Sequence, residues 1–482
     1  MIQNKTLRWL PLVAALVLAG CATPPPVELK LDTPAQFKEQ PVQATAQAPA
    51  QADARWWAAF NDPALDGLIE RAADNNTDVQ QAAARLLQAR ALAREVDADR
   101  SVQLGLGASA NRGAGFDRAQ GQRPSNLFTA GLGASYEVDL FGRLAGASNA
   151  ASLDAQSREA LLQSARLVVQ SEVAQLYLLV RALDAEREIM RETVAAYRNT
   201  LDLTERRQRA GDVGELDLAR VRTELAATEA EALAVERQRT QVEHALAVVL
   251  GEVASTFSLP PQDWKTALPT IPAGLPSTML ARRPDVLAAQ RSAAAAQARV
   301  GVAQTAWFPT IALTASGGYA SPDLGDLLKW SARSWGVGAL LSLPILDGGR
   351  REAGVQGATG QFDEAMAGYR RQVLVAFQEV EDQLSALRLL SEQSAVQDLA
   401  VSSARRATVL SDARYRNGVI SQLDLLDARR SELRNRRQAL LVKSLQYQNT
   451  VGLVRALGGG WEPPQPAAAA SPDAAPRVAA LR

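Results

Sequence analysis

Two aspartates that could bind cations lie close together near the C-terminal end of the sequence. Asp424 and Asp427 belong to the segment RYRNGVISQLDLLDARR, which runs from Arg414 to Arg430. Residues three apart share one helix face, one turn apart, so two carboxylates at this spacing would form a local anionic site. The alternative is that both are solvated carboxylates at a helix N-terminus, where the helix dipole favours negative charge. The elements that position the two side chains decide between these interpretations.

Other chemistry-bearing residues are scarce in the 482-residue chain. It contains one histidine, His244, among charged neighbours in a helical pattern, and one cysteine, Cys21. An intrachain disulfide is therefore impossible, and nitrogen and sulfur ligands for a metal are almost absent. The sequence has no Gly-rich phosphate loop, no dinucleotide fingerprint and no GxSxG motif. The net charge is zero, which gives no general case for nucleic acid. We therefore expect no enzyme, no metal, no bound cofactor and no nucleic-acid partner.

The N-terminus has the pattern of a bacterial signal peptide. A basic start precedes the apolar run Leu10–Ala19, which is too short to span a bilayer, and small residues lead to Cys21 in LAGC. LAGC resembles a lipobox, which implies cleavage before Cys21 and covalent lipid on that residue. We predict a signal peptide at 1–20 and a lipidated, extended strap at 21–55, rich in Pro, Ala and Gln. Several acyl chains would anchor the strap firmly, and Ala22 fits sorting to the outer membrane.

The segment at Arg414–Arg430 has a copy, RQRAGDVGELDLARVRT, that begins 207 residues earlier at Arg207. The same offset aligns identical residues along the chain: Asp78 with Asp285, Gly131 with Gly338, Arg143 with Arg350, Glu172 with Glu379 and Gly251 with Gly458. An ungapped register over this span indicates a duplication in which each copy is a large structural unit. The predicted organisation is a first repeat at 56–262, a Pro-rich linker at 263–276, a second repeat at 277–460 and a disordered tail at 461–482.

Each repeat begins with a helical pattern, at 56–100 in the first, and continues with two runs of alternating apolar and polar or small residues. The four runs cover 103–111, 128–141, 308–319 and 334–346. Strands of about ten alternating residues, separated by turn-rich loops, are typical of a membrane β-barrel. Aromatic residues cluster at the ends of the runs, as in an interfacial belt: Phe128, Tyr136, Phe141, Trp307, Phe308, Tyr319, Trp330 and Trp335. The alternative is a soluble antiparallel sheet.

Long helices are predicted after each pair of strands. No proline occurs at 125–259 or at 345–462, and apolar residues recur there in sustained heptads, which favours coiled-coil packing. A helix over about Ala145–Ala210 would be roughly 100 Å long at 1.5 Å per residue. Gly211 and Gly418 lie between two helical patterns, where a helix must stop and the chain reverse. Each repeat is therefore expected to form a helical hairpin with its tip at this glycine.

The strand count predicts self-association. Four strands per chain are too few to close a membrane barrel, which needs at least about eight. Open sheet edges in lipid leave unpaired backbone groups that cost several kcal/mol each. The predicted fold is therefore mainly α with a membrane β-barrel: long coiled-coil hairpins plus four β-strands per chain, and a twelve-stranded barrel in a homotrimer. A tube of this kind without catalytic residues is a conduit.

Several segments resemble TolC-like outer-membrane efflux factors of the lipoprotein (OprM/NodT) branch. They are WWAAFNDPALDGLIERAADNNTDV from Trp56, SYEVDLFGR from Ser135, LPSTMLARRPDV from Leu275, ARVGVAQTAWFPTIAL from Ala298, and the two segments around Gly211 and Gly418. The resemblance implies a homotrimer in the outer membrane of a Gram-negative bacterium, in contact with its lipids and with a helical tunnel in the periplasm. It also implies docking to a periplasmic adaptor and an inner-membrane pump.

The resemblance assigns a gate to the second tip. Leu423, Asp424 and Asp427 fall where family members constrict the periplasmic entrance. In a trimer each residue that faces the axis appears as a ring of three. Two aspartate rings would repel one another and attract cations, and Leu423 would add an apolar constriction.

The resemblance also implies a latch and a docking surface. Tyr415 matches a tyrosine that latches the inner hairpin in relatives, and Asp217 matches its acidic partner on the first hairpin. The arginine of that latch aligns with Ile420, so its salt bridge is absent in this chain. Small residues permit close backbone approach, and the exposed turns supply the expected adaptor contacts: Gly211, Val213, Gly418 and Val419.

Two classes of function remain open from the sequence. The first is a passive export duct that works with an efflux pump, with protein secretion of type I as a variant of the same class. The second is a structural coiled-coil lipoprotein that tethers the envelope without conducting. The strand pairs and their aromatic ends favour the duct, because a tether needs no barrel. The sequence does not identify the cargo, which the pump would select.

Overall fold

The computed structural model describes residues 34–39, 55–114, 124–271 and 276–459. The predicted signal peptide, Cys21 and the tail after 460 lie outside these ranges. The first repeat consists of α1 (Pro63–Asn75), α2 (Thr77–Ala98), β1 (Gln103–Gly113), β2 (Ser125–Val138), α3 (Arg143–Arg209) and α4 (Glu215–Val249). The second consists of α5 (Pro276–Arg282), α6 (Pro284–Thr305), β3 (Thr310–Ser321), β4 (Arg333–Ser342), α7 (Arg350–Arg416) and α8 (Gln422–Ala456).

The 207-residue offset relates the helices of the two repeats. Helices α3 and α7 both have 67 residues, and α4 and α8 both have 35. A 67-residue helix is about 100 Å long, the length that the sequence predicted. The first helical pattern differs from the prediction because it is broken into a 3₁₀ turn at Trp56–Phe60, α1 and α2. The break lies at Asn76, whose side-chain oxygen accepts from the backbone N–H of Asp78 and Val79 and so caps α2.

The first of two compact units contains Ala84–Glu159 and Ala288–Arg371. It holds an antiparallel sheet of four strands in the order β1-β2-β3-β4. Gly131 lies opposite Gly318 in the β2–β3 pair, and a Cβ at Gly131 would come within 2.8 Å of the Gly317 carbonyl oxygen. This close approach explains Gly131 and Gly318, at both of which a Cβ would clash with the neighbouring strand. Among the described strands, β1 and β4 each pair on one side only.

The second unit comprises the described residues up to Ala83, Ala160–Leu287 and those from Gln372 onward. Its core follows the heptads of the sequence. One cluster joins Leu183 and Met190 of α3 to Val235 of α4. Of the helices that the structure describes, none combines the length and the apolar character of a membrane-spanning helix.

A charged group interrupts the apolar packing between α3 and α4. Arg239 of α4 is buried and contacts Asp184 of α3 at 3.0 Å and Glu243 at 2.7 Å. Asp184 also contacts the buried Arg181 at 3.0 Å. Buried charges require such partners, because an unpaired one would lose its hydration without compensation. His244, next to this group in sequence, is exposed.

Candidate gate at the hairpin tips

Both hairpin tips turn at a glycine in the left-handed region. Gly211 has φ +84° and Gly418 has φ +73°. The backbone N–H of Asp212 donates to the Arg207 carbonyl at 2.9 Å, and that of Val419 donates to the Arg414 carbonyl at 2.9 Å. These bonds end α3 and α7 in the manner of a Schellman motif, which favours glycine. A Cβ at either glycine would meet open space, so the backbone at both tips is accessible to a partner.

Helix α8 begins in a capping box that uses one of the two candidate aspartates. The Ser421 hydroxyl accepts from the Asp424 backbone N–H at 3.3 Å, and Asp424 Oδ2 accepts from the Ser421 backbone N–H at 3.1 Å. The Ser421 hydroxyl also lies 2.7 Å from the same oxygen. Reciprocal bonds of this kind satisfy the free N–H groups of a helix start. The Asp424 carboxylate therefore takes part in the N-terminal cap of α8.

The other two residues of the predicted constriction are also exposed. Leu423 is 42% exposed. The Asp427 side chain is 62% exposed and lies 3.3 Å from Arg430. Ion pairs this exposed are weak, so the carboxylate of Asp427 is available to ions or to other chains. Leu423 and Asp427 thus lie on the first turns of α8, beside the cap formed by Ser421 and Asp424.

The predicted latch residues do not pair with each other within the chain. Tyr415 is buried (3% exposed), and its hydroxyl has no hydrogen-bond partner among the described residues. The guanidinium of Arg207 lies 4.8 Å from the centre of its ring, a cation–π contact between α3 and α7. Asp217 faces Arg220 at 3.7 Å instead. Ile420 stands where relatives have the latch arginine, and in this chain Arg207 of the first hairpin contacts Tyr415 instead.

The structure shows contacts between α8 and the first hairpin that sequence reasoning missed. Arg429 donates to the Ala196 carbonyl at 2.8 Å and to the Thr200 hydroxyl, and it contacts Asp412 of its own hairpin at 3.0 Å. Gln422 donates to the Thr204 hydroxyl at 3.0 Å in a buried contact. These bonds join the base of the second tip to α3.

Three further arginines of α8 pair with acids of the first hairpin. Arg430 Nε donates to Glu224 at 2.8 Å. The other pairs are Arg436 with Glu192 at 2.7 Å, Arg437 with Glu186 at 2.8 Å and Arg437 with Glu231 at 2.9 Å. We call Arg429, Arg430, Arg436 and Arg437 the α8 arginine row. Its members form two pairs seven residues apart, which places them on one helix face, and this spacing was visible in the sequence.

One acidic partner of the arginine row, Glu224, has a shifted pKa. The hydrogen bond from Arg430 lowers the pKa of Glu224 below its usual range. Glu224 therefore contributes stability above the ordinary carboxyl pKa, and this contribution is lost as the pH falls through the lowered value. Burial, and next the charge of Glu224, raise the pKa of Tyr197 to about 12. Tyr197 is thus neutral at physiological pH, and it packs with Val221 and Leu426 beneath the row.

Nothing in the described part of the chain forms a metal centre. Three or more His, Cys, Asp or Glu side chains placed to hold a metal ion together do not occur in the described ranges. The residues brought together at the tips can repel or attract ions and can hold two hairpins against each other. This arrangement suits a gate.

The chain matches the family described as outer membrane efflux protein over residues 68–252 and 275–459. It is 35% identical over 470 residues to the pyoverdine export outer membrane protein OpmQ of Pseudomonas putida, with 94% of this chain and 97% of the relative covered. It is 30% identical over 459 residues to the cation efflux system protein CusC of Escherichia coli, with 94% and 98% covered.

Solved structures agree with these relatives. The outer-membrane channel OprN superposes with a TM-score of 0.83 at 31% identity, covering 90% of this chain and 99% of that one. The open state of the MtrE outer membrane channel of Neisseria gonorrhoeae gives a TM-score of 0.80 at 29% identity, with 90% and 97% covered. These matches confirm the predicted fold class and the predicted location in the outer membrane of a Gram-negative bacterium, and they do not favour the secretion or tether alternatives. The chain belongs to the outer membrane efflux protein family and is the outer-membrane channel of an efflux system.

Proposed function

We propose that three copies of this chain form one passive duct, which is neither an enzyme nor a cofactor-binding protein. The observation that carries this proposal is the open sheet: the outer edges of β1 and β4 have no partner among the described strands. In lipid these edges would expose unpaired N–H and C=O groups. Pairing β1 of one copy with β4 of the next removes both edges and gives twelve strands, an even number large enough to close.

Native mass measurement in mild detergent tests this assembly. We expect a single species with the mass of three chains that conducts ions when reconstituted in planar bilayers. A monomer that inserts into bilayers and remains stable would refute the proposal, because its open edges would then face lipid without cost.

The same duct is proposed to dock a periplasmic adaptor and, through it, an inner-membrane pump. The turn residues Gly211, Gly418 and Val419 are exposed at the tips, and Val213 is partly exposed. Relatives of similar identity are named for chemically different cargoes, pyoverdine in one case and cations in another. The shared scaffold therefore does not select the cargo, and we infer that the pump does.

Within the gate we propose different roles for the candidate residues. Asp427 supplies the anionic ring and Leu423 the apolar constriction, while Asp424 maintains the cap on α8. Asp427→Asn should weaken cation preference in planar bilayers and relieve block by polyvalent cations added on the periplasmic side. Asp424→Asn is the matched control and should keep both properties. If Asp427→Asn conducts with wild-type selectivity and block, this carboxylate does not face the axis.

We also propose that the mature N-terminus is lipidated at Cys21. The support is the LAGC sequence, the basic and apolar leader before it, and the absence of any other cysteine in the 482 residues. Intact-mass analysis of the mature protein should show acyl mass that Cys21→Ser removes. A wild-type protein that carries no acyl mass would refute this proposal without affecting the trimer.

A further inference from the structure

The segment that follows α4 and leads to the second repeat is held at its first end by α3 and α4. Glu243 accepts from the backbone N–H of Leu259 at 2.6 Å, and Arg239 donates to the Leu259 carbonyl. Arg181 donates to the Pro260 carbonyl at 2.9 Å. These three side chains belong to the charged group between α3 and α4, so that group also binds the backbone of the connecting segment. We call these contacts the first anchor.

A second anchor, around Thr266, reaches α8. The Tyr447 hydroxyl donates to the Thr266 carbonyl at 2.6 Å in a buried contact, and the Thr266 hydroxyl donates to Asp62 Oδ2 at 2.7 Å. The rings of Trp264 and Tyr447 lie 4.7 Å apart between centres. The Lys443 amine lies 4.5 Å from the centre of the same indole ring, a cation–π contact. We call the two anchors together the linker clasp.

The chain between the two anchors is too short to let them move apart. Pro260 and Trp264 are four residues apart, a distance of at most about 14 Å when extended. The prolines at 260 and 261 restrict this stretch further, because each fixes its own φ. Helix α8 is therefore tied to α3 and α4 at the level of Tyr447.

Burial along α8 changes at the clasp. Near the tip, Gln422, Leu425 and Leu426 are buried, and no other residue of the helix before Val442 is. The stretch between these groups carries the arginine row, whose partly exposed pairs are individually weak. From Val442 onward the helix is held by packing, with these residues buried: Val442, Ser444, Tyr447, Thr450, Val451, Gly452, Leu453, Val454 and Ala456. We call residues 422–441 the α8 arm.

We propose that the linker clasp is the fixed point about which the α8 arm turns when the gate opens. This proposal rests on the proposed duct, because it locates the motion that would open it. Tyr447 follows Gln422 by 25 residues, or about 38 Å of helix. A rotation of about 10° at Tyr447 would move the first turn of α8, with Leu423 and Asp427, by about 7 Å. A small rotation at the clasp thus becomes a large displacement at the constriction.

Lengthening the segment between the anchors tests the fixed point without changing an anchoring side chain. A flexible Gly-Ser insert of about six residues is placed between Gln262 and Asp263, which are both exposed. The matched control carries the same insert between Thr270 and Ile271, after the second anchor. The control lengthens the connection between the repeats equally but leaves the distance between the anchors as it is.

Two cysteine pairs report the contact of α8 with α3 at two levels. Gln175→Cys with Gln448→Cys lies at the clasp, where Gln448 donates to the Gln175 carbonyl at 2.9 Å. Glu192→Cys with Arg436→Cys lies on the arm, where the native side chains are 2.7 Å apart. A short bis-maleimide joins each pair in isolated outer membranes, and mass spectrometry of the cross-linked peptide gives the initial rate. Each pair is measured with Arg430 and with Arg430→Glu.

With the native linker, Arg430→Glu should slow the arm cross-link by about threefold, as expected for one partly exposed ion pair, and leave the clasp cross-link unchanged. With the insert between the anchors, Arg430→Glu should slow both cross-links, because the fixed point is lost. The insert after Thr270 should behave like the native linker.

A milder variant covers the case in which the insert between the anchors prevents folding. Tyr447→Phe removes one hydrogen bond of the clasp and should slow the clasp cross-link by about fivefold. Tyr369→Phe, at a buried tyrosine of α7 outside the clasp, is the matched control and should not change it.

Three results would overturn the fixed point. In the native linker, Arg430→Glu could slow the clasp cross-link as much as the arm cross-link, which would mean that α8 moves as a whole. It could leave the arm cross-link unchanged, which would mean that the arm does not turn. The two inserts could also behave alike, so that the distance between the anchors would not matter. Resting conductance of the same variants separates the two proposals: a chain that does not conduct refutes the duct, while the cross-links still decide whether the clasp is fixed.

Discussion

The two repeats of the chain fold alike at their bases and differ at their tips. In the first, the Asn76 side chain donates to the Val249 carbonyl at 2.8 Å. In the second, Arg283 stands at the equivalent position and donates to the Ala456 carbonyl at 2.9 Å. Both acceptors lie at the end of the second hairpin helix, 207 residues apart. The hydrogen bond at the base is therefore kept in both repeats, while its donor changes from the neutral amide of Asn76 to the charged guanidinium of Arg283.

At the tips the sequences are most alike, yet the contacts diverge. Arg222 of the first tip contacts Glu205 at 3.2 Å, and the equivalent Arg429 contacts Asp412 at 3.0 Å, so each hairpin has one internal ion pair. Only Arg429 also reaches the other hairpin, at the Ala196 carbonyl. The equivalent arginines of the two repeats thus share one internal ion pair, and Arg429 makes a second contact across the hairpins. We propose that these contacts of α8 with the first hairpin control the gate.

The largest expected effect comes from the base of the repeats. Arg283 is 6% exposed and also contacts Asp285 at 2.6 Å and Glu379 at 2.7 Å. Removing one member of a buried charged group costs about 3–5 kcal/mol, so Arg283→Ala should lower the apparent melting temperature strongly. Asn76→Ala, the equivalent change, should cost about 1–3 kcal/mol, because it leaves only neutral groups unpaired.

Thermal melts of the detergent-solubilised protein would measure both variants side by side. Equal melting temperatures for Arg283→Ala and Asn76→Ala would contradict the expected difference, because the two positions would then contribute equally to stability.

A smaller effect separates the glycines of the base from those of the tip. Gly251 has φ +72°, and a Cβ there would clash with the Asn75 carbonyl oxygen. Gly251→Ala should therefore cost about 2–3 kcal/mol, from strain and clash together. Gly211→Ala meets open space and should cost only about 1 kcal/mol for its left-handed conformation. Chemical denaturation of both variants would measure the two losses of stability. A loss for Gly211→Ala as large as that for Gly251→Ala would contradict the prediction.

The smallest expected effect tests the two helix starts. The N-cap of α4 is Gly214, which makes no side-chain bond, whereas that of α8 is Ser421 in a capping box. Ser421→Ala should cost about 1 kcal/mol, and Ser421→Gly, which restores the residue of the first repeat, only a few tenths. Hydrogen exchange at the first turn of α8 should rise more in the alanine variant. Equal exchange in both would show that the capping box contributes little.

The sequence predicted the parts that depend on local pattern. Heptads placed α3 within two residues of its ends, and Gly211 and Gly418 marked the turns because a helix end needs a left-handed residue there. The alternation at 103–111 and 308–319 located β1 and β3. The strand count predicted self-association in a membrane, and the family resemblance added the outer membrane as its location.

Contacts between distant segments could not be read in the same way. The partner of Tyr415 depends on which side chain of another helix lies beside it, and this proved to be Arg207. The pairing of Glu381 with backbone groups at 38 and 39 leaves no side-chain signal in the strap.

We propose that α8 holds the second tip against the first hairpin, so that releasing it opens the duct. The partly exposed Arg430–Glu224 pair is the sharpest point at which to test it, because its charges can be exchanged. Each pair is worth about 0.5 kcal/mol after screening, so three in a trimer should shift opening by roughly tenfold. We predict that Arg430→Glu and Glu224→Arg each raise resting conductance in planar bilayers by about this factor, and that the double exchange returns it to the wild-type level. If the single variants conduct like the wild type, or if the double exchange conducts like the singles, the arginine row does not hold the gate.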